Sequence, residues 1–298
     1  MNNNKLQAHS AILMANIIFG LGVPVTKSLL TSWVTPMGYM FLRCIGAALI
    51  FWIVSLFMPR EKVARRDLVI IMAGGLLGIV VSQSLTAWAL KFTTPVYFSL
   101  IATLTPIATL IMAVLFAHEK MSGLKLFGVL LGIAGAVLMV LLGSTFGSGS
   151  NDVLGISLAV LSVLTWAVYL IITKNVSARY SEVTQMKYVF LISAIATLPW
   201  GIAEFPQQKL FSGYFGAESW WGISQMLFIV VFATVLGYFA IPYAMKSLKA
   251  TTVSIYTNLQ PVVASLVAIG VGQDVFSWDK PVAAILVLVS AWLVTQSK

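Results

Sequence analysis

The chain is poor in the side chains that most chemistry needs. Its one cysteine among 298 residues, Cys44, cannot form an intramolecular disulfide, so thiol content says nothing about redox compartment. The two histidines, His9 and His118, flank hydrophobic stretches, which excludes a histidine-rich metal centre. Only nine residues are acidic, and none falls near the middle of a hydrophobic run. No phosphate-cradling glycine loop with its lysine occurs, nor His-Glu-x-x-His, nor Gly-x-Ser-x-Gly. A membrane-embedded enzyme is therefore poorly served, ATP is not the direct energy source, and neither cofactor nor metal is expected.

What is abundant is apolar surface. With 59% hydrophobic residues, 9% charged residues and a mean hydropathy of +0.96, too little polar surface remains for a soluble globule. Stretches able to cross about 30 Å of hydrocarbon, roughly 20 residues each, number ten. They lie near Ala11–Leu30, Pro36–Met58, Leu68–Leu90, Thr94–Phe116, Leu124–Leu142, Val153–Thr173, Thr184–Phe205, Trp221–Met245, Thr251–Gly270 and Pro281–Thr295. The first carries Gly20, Gly22, Pro24 and Lys27 without a cleavage site after it and reads as a retained helix. Basic residues alternate between the gaps. Arg60, Lys62, Arg65, Arg66, Lys174, Arg179, Lys246 and Lys249 fall on one side and Lys27, Lys91 and Lys209 on the other, which predicts both termini in the cytoplasm. This bias accounts for the net charge of +9, and the dispersed cations form no nucleic-acid surface. The expected partners are the lipid bilayer and a small-molecule substrate, with a homodimer left open. The expected location is a bacterial cytoplasmic membrane.

The chain also contains one segment twice. Ala89 to Pro106 lies over Ala244 to Pro261 without a gap at an offset of 155, with Lys91 over Lys246, Ser99 over Ser254, Leu104 over Leu259 and Pro106 over Pro261. The same offset pairs Glu119 with Asp274 and Lys125 with Lys280. Earlier runs repeat at slightly smaller offsets: Thr26-Lys27 answers Thr173-Lys174, and Met37 to Leu42 answers Met186 to Leu191. The Gly/Ser-rich segment 143–152 marks the joint, giving units 1–146 and 147–298. Duplicating an odd number of spans makes the two units face opposite ways, an architecture of many transporters.

On these residues the chain resembles the drug/metabolite transporter superfamily, in its EamA type. The pattern is the fourth helix with Ser99, Thr103 and Pro106, the acidic Glu119 at its end and Gly128, Gly132 and Gly135 in the fifth, repeated as Ser254, Asn258, Pro261 and Asp274. The last span departs from it, lacking the glycines of its counterpart. The resemblance implies an all-α integral membrane protein of ten transmembrane helices in two inverted five-helix repeats, around a cavity lined by spans 1, 3, 4, 6, 8 and 9. It also implies transport by rocking of the halves.

Polar groups inside spans are the markers of such a cavity, since each is costly in hydrocarbon without a partner or water. The candidates are Asn16 and Gly20 on the first span, Gly78, Ser82 and Gln83 on the third, and Ser99 and Thr103 on the fourth. Trp166 and Tyr169 on the sixth, Tyr238 on the eighth, and Tyr256, Asn258 and Gln260 on the ninth complete them. Pro106 and Pro261 each free a carbonyl one turn earlier, for substrate, for a hinge, or for a static kink capped by a hydroxyl. Gly74 and Gly78 equally suit plain close packing. Arg43 is the one charge deep in a span; it either attracts a substrate anion, or reaches helix-end carbonyls or snorkels outward, and a second helix off the cavity centre favours the latter pair. The neutral candidate set predicts a secondary transporter of a small polar or zwitterionic metabolite, amino-acid-like, working as an exporter. A quaternary-amine or drug transporter with an aromatic cage and a non-transporting receptor or scaffold are the alternatives. The absence of a mid-span carboxylate disfavours proton-for-cation exchange.

Overall fold

The computed structural model describes residues 3–117, 149–210 and 217–273, with isolated positions between 123 and 134 and between 278 and 289. The described residues are helical throughout their spans and contain no strand. Eight helices are long and apolar enough to cross a membrane. They are α1 (Asn3–Ser32), α2 (Pro36–Leu56), α3 (Arg65–Phe92), α4 (Pro95–Phe116), α5 (Asp152–Ser177), α6 (Glu182–Ala203), α7 (Ser219–Ser247) and α8 (Thr252–Gly270). They correspond to the first four and the sixth to ninth expected runs. The fifth and tenth lie mostly outside the described residues, as do Glu119, Lys125, Asp274 and Lys280.

Helix starts are written in the sequence. Thr35, Thr94, Asn151 and Ser181 stand just before α2, α4, α5 and α6, and their side chains accept hydrogen bonds from Gly38, Tyr97, Leu154 and Thr184 N–H. Each satisfies a donor that the first helical turn leaves orphaned, and Pro36 and Pro95 fill first-turn positions where no N–H is needed.

Irregularities recur at the spacing of the repeat. A π-helical stretch occupies Gly75–Val81 in α3 and Ile229–Leu236 in α7. The fourth span breaks at Thr103 and Leu104, between Pro95–Ala102 and Thr105–Ala117, and α8 tightens into a 3₁₀ turn at Tyr256–Leu259. Pro106 and Pro261 are each the second residue of the helix that resumes, where a missing N–H does least harm. The Ala102 carbonyl one turn before Pro106 accepts from Thr105 Oγ1 at 2.5 Å, so the kink is satisfied by a hydroxyl.

Two lysines cap helix ends in the same way. Lys27 Nζ, near the end of α1, donates to the carbonyls of Leu90 at 2.7 Å and Thr93 at 2.8 Å, where α3 finishes. Lys174 Nζ, near the end of α5, donates to those of Met245 and, at 2.7 Å, Leu248, where α7 finishes. Leu90 with Met245 and Thr93 with Leu248 are mates at the 155 offset. A cation on the carbonyl end of a helix also meets the negative end of its dipole.

The bundle has two polar ends. One gathers Tyr243 on Gln7 at 3.2 Å, Arg179 on Asp67 at 3.2 Å, and Lys246 on Glu182 at 2.8 Å. The other gathers Asn151 N–H on the Phe92 carbonyl at 3.0 Å, Thr93 on Asp152, and Thr35 on Glu204.

At the first of these ends, Glu61 in the loop before α3 accepts from Ser181 N–H at 3.0 Å and from its hydroxyl at 2.8 Å. Partial burial pushes its carboxyl up, but hydrogen bonds from Thr184 and Ser181 and the charge of Lys246 outweigh it and hold the group below the usual glutamate range. A depressed folded-state pKa stabilises above the unfolded value, and the gain is lost as pH falls through the folded one. Glu61→Gln should therefore melt below the wild type at neutral pH, and the two melting curves should converge in acid. A constant gap across that range would show that Glu61 acts by packing alone.

Candidate functional site

A cavity of about 130 Å³ lies at the centre of the bundle. Its wall takes Asn16, Phe19 and Thr26 from α1, Tyr39 and Arg43 from α2, Ser82, Gln83 and Thr86 from α3, and Phe98 and Thr105 from α4. From the other half come Ser162 and Trp166 on α5, Ala233 and Tyr238 on α7, and Ser254, Thr257 and Gln260 on α8.

Three groups of side chains organise this wall. The first joins α3 to α5: Ser82 Oγ donates to the Ser162 carbonyl and Ser162 Oγ to the Ser82 carbonyl, both at 2.9 Å. Thr86 Oγ1 stands 2.8 Å from Ser162 Oγ. This reciprocal clasp consumes much of the hydroxyls' bonding capacity in holding helices together. The second joins α1 to α8, where Gln260 Nε2 donates to Asn16 Oδ1 at 2.8 Å and Asn16 Nδ2 to the Ile12 carbonyl at 2.8 Å. The third is aromatic. The Tyr238 ring meets Phe19 edge-on at 5.5 Å, Trp166 at 5.7 Å and Phe190 at 5.8 Å, and Trp166 tilts against Tyr169 at 4.8 Å.

Arg43 sits among these groups and is 5% exposed. Its Nε donates to Thr234 Oγ1 at 2.7 Å and its Nη1 to Gln83 Oε1 at 3.0 Å. The guanidinium lies 5.1 Å from the Tyr238 ring centre and 5.9 Å from that of Tyr39. Thr234 is set by the π-helical stretch of α7, where its hydroxyl also donates to the Ile229 carbonyl at 2.7 Å. The expectation that Arg43 reaches helix-end carbonyls is thus corrected. The second helix reaches the cavity, and the arginine's partners among the described residues are the side chains of Thr234, Gln83 and Tyr238. The available signal was its depth within a span, which the assumption about helix position outweighed.

Of the sequence candidates, Asn16, Ser82, Gln83, Trp166, Tyr238 and Gln260 line the cavity. Gly20 and Gly78 lie elsewhere, at close helix contacts: a Cβ on Gly20 would stand 2.8 Å from Val263 Cβ, and one on Gly78 would stand 2.5 Å from the Tyr169 ring. Tyr169, 2% exposed, packs behind Trp166 against Gly74 and Gly78. Ser99 is fully buried with an unpartnered hydroxyl, Thr103 is turned to the Leu100 carbonyl at 2.6 Å, and Asn258 stands outside the lining. Tyr256 bonds His9 at 2.7 Å, away from the wall. Sequence reasoning placed none of Thr26, Tyr39, Thr105 or Thr257 at the site, because isolated threonines and tyrosines in apolar runs look alike whether they face a cavity or a neighbour.

Among the described residues that line the cavity, Arg43 is the one that is charged, and none is Asp, Glu, His, Lys or Cys. A bundle of membrane-length helices around a largely apolar cavity with a few convergent polar groups has the build of a small-molecule transporter. The chain belongs to the EamA-like transporter family, whose model matches residues 6–141 and 153–296. It is a multi-pass protein of the cell membrane. Among curated relatives, the uncharacterized transporter YvbV of Bacillus subtilis is 26% identical over 87% of this chain and 82% of its own. The uncharacterized transporter YyaM of the same species is 24% identical over 77% and 74%. A probable sugar phosphate/phosphate translocator of Arabidopsis thaliana is 26% identical over 80% of this chain and 58% of its own. A solved crystal structure of 18% identity superposes with a TM-score of 0.66 over 97% of both chains, which speaks to the fold.

Proposed function

We propose that this chain is a secondary transporter that carries a small polar or zwitterionic metabolite through the central cavity by alternating access of two inverted repeats, residues 1–146 and 147–298. The observation that carries the reading is the repeated lysine cap. Lys27 on the end of α3 and Lys174 on the end of α7 are equivalent contacts at opposite polar ends, one on either side of the cavity. The inverted relation is supported by those ends: α1 begins beside the finish of α7, near Lys174, and finishes beside the start of α5. The joint between the repeats falls between the two stretches that the family model matches.

Size bounds the substrate. A cavity of about 150 Å³ takes benzene, so 130 Å³ favours a molecule of a few to several heavy atoms over a disaccharide or nucleotide. A quaternary amine is disfavoured by the cation already on the Tyr238 ring. We take export as the direction, which efflux from preloaded proteoliposomes tests.

The central route is tested by filling it. Thr86 faces the cavity and is partly exposed to it. Thr86→Trp should cut flux at least tenfold in a protein that still melts cooperatively and elutes as the wild type. Wild-type flux through that variant would place the route elsewhere, and no flux in the wild type would favour a receptor or scaffold.

A further inference from the structure

Building on the transport reading, we infer that Arg43 is the anion-recognition group of the cavity, and that the substrate presents one carboxylate to its free guanidinium donors. The inference starts from hydrogen-bond capacity. A guanidinium carries five N–H donors, and Arg43's meet three side-chain oxygens among the described residues, those of Thr234, Gln83 and Tyr238, all neutral, which leaves the rest of the fork without a protein acceptor there. No carboxylate among those residues pairs with it; the two ion pairs they form are Arg179 with Asp67 and Lys246 with Glu182, at one end of the bundle. A buried cation with open donors is unfavourable unless water or an anion meets it. Its open side is the cavity.

A purely structural role would look different, and the molecule supplies the comparison. Lys27 and Lys174 place their charge on backbone carbonyls at helix ends. Arg43 instead is held from behind. Thr234 is itself fixed by the Ile229 carbonyl, Gln83 comes from α3, and the Tyr238 and Tyr39 rings flank the cation. These neutral contacts set the plane of the fork without neutralising it, the preorganisation that bidentate recognition of two oxygens uses.

Location adds a second argument. Gln83 and Tyr238 are mates at the 155 offset, and the guanidinium contacts both. A group touching mate positions of two repeats lies near the axis that relates them, so it meets the substrate whichever end is open. One positive charge also selects the valence of the ligand. A simple monocarboxylate leaves the occupied cavity neutral and a zwitterionic amino acid leaves its charge unchanged, whereas a dianionic phosphate ester reverses its sign inside the bilayer. The carboxylate of an amino acid or of a small hydroxy acid has this chemistry, and the amide and aromatic wall receives the rest of the molecule.

The test uses the purified full-length protein in liposomes and matched pairs differing in that one group: leucine and leucinamide, phenylalanine and phenylalaninamide, lactate and lactamide. Glycerol phosphate is the dianionic arm, and choline, a cation, and glucose, a neutral polyol, are the controls without an acid group. Competition in flux and thermal shift are both read. At least one acid should be carried, its amide at least tenfold more slowly, and glycerol phosphate should compete poorly. Arg43→Gln should weaken the acid roughly tenfold to a hundredfold, while Arg43→Lys, which keeps charge but loses the fork, should retain part of it. Transport of an amide as fast as its acid, or wild-type handling of the acid by Arg43→Gln, overturns the assignment while leaving the transporter reading intact. Preference for glycerol phosphate overturns the single-charge match. If no compound moves and none shifts the melting temperature, the transport reading itself fails. The acid and amide comparison on the wild type stands even if a variant misfolds.

Discussion

Gly78→Leu should destabilise the protein by about 3 kcal/mol or more, in the range of overpacked cores, whereas Gly22→Ala should leave the melting temperature nearly unchanged. At Gly78 the first added carbon would lie 2.5 Å from Cγ of the Tyr169 ring and 2.7 Å from its Cδ2, inside any allowed contact. The ring cannot retreat. Tyr169 is 2% exposed, with Trp166 at 4.8 Å across it, and moving either would disturb the cavity wall. At Gly22 the added carbon meets Ala233 Cβ at 3.5 Å and Ile229 Cδ1 at 3.6 Å, which is ordinary contact. Alanine also favours the helix there by up to about 1 kcal/mol. Thermal unfolding in detergent reads both. Equal melting of the Gly78 variant and the wild type would mean that α3 and α5 separate freely, contrary to the Ser82 and Ser162 clasp.

The second large effect is expected at the lysine caps, and it is functional. Lys27→Met strips the Leu90 and Thr93 carbonyls of a charged donor, and Lys174→Met does so for Met245 and Leu248. Hydrogen bonds of this kind contribute about 1.5–3 kcal/mol each. That is enough to move an equilibrium between two closed ends by an order of magnitude or more. Each variant should slow flux at least tenfold, and each should open its own end. Reporter cysteines at Thr26 and Leu170 in a Cys44→Ala background lie near the two ends of the cavity, one beside Lys27 and one a turn from Lys174. Lys27→Met should raise labelling of the first by an impermeant thiol reagent, and Lys174→Met the second. Identical labelling in both variants would show that the caps are inert staples, and arginine at either position should restore closure.

Much of this arrangement is legible in the sequence, for identifiable reasons. Long apolar runs mark the spans because the bilayer tolerates little else, and Thr35, Thr94, Asn151 and Ser181 mark helix starts because orphaned N–H groups need acceptors. The repeat is visible because Lys91, Ser99, Leu104 and Pro106 recur in place. The side of the helix on which a residue falls is harder to read. Gly78 and Ser82 are one turn apart on α3 and both meet α5, one at Tyr169 and the other at Ser162, yet only Ser82 also lines the cavity, and the π-helical stretch Gly75–Val81 runs through this part of the helix. Nothing in the local pattern of α3 or α7 announces that stretch. Thr234, which accepts from Arg43, lies in the corresponding stretch of α7, so this contact of the cavity rests on an irregularity that the local pattern does not announce.

The lysine caps bear on how the relatives of this chain will be read. Each latch has a side chain on one side only; the receiving half is main chain, so Leu90 and Met245, or Thr93 and Leu248, do the same work without sharing a side-chain type. Selection acting on such a contact leaves a trace at the two lysines and none at the positions they hold. Methods that find contacts from correlated substitutions will therefore pass over both caps, and the residues whose carbonyls they hold will be free to drift while the contact itself is kept.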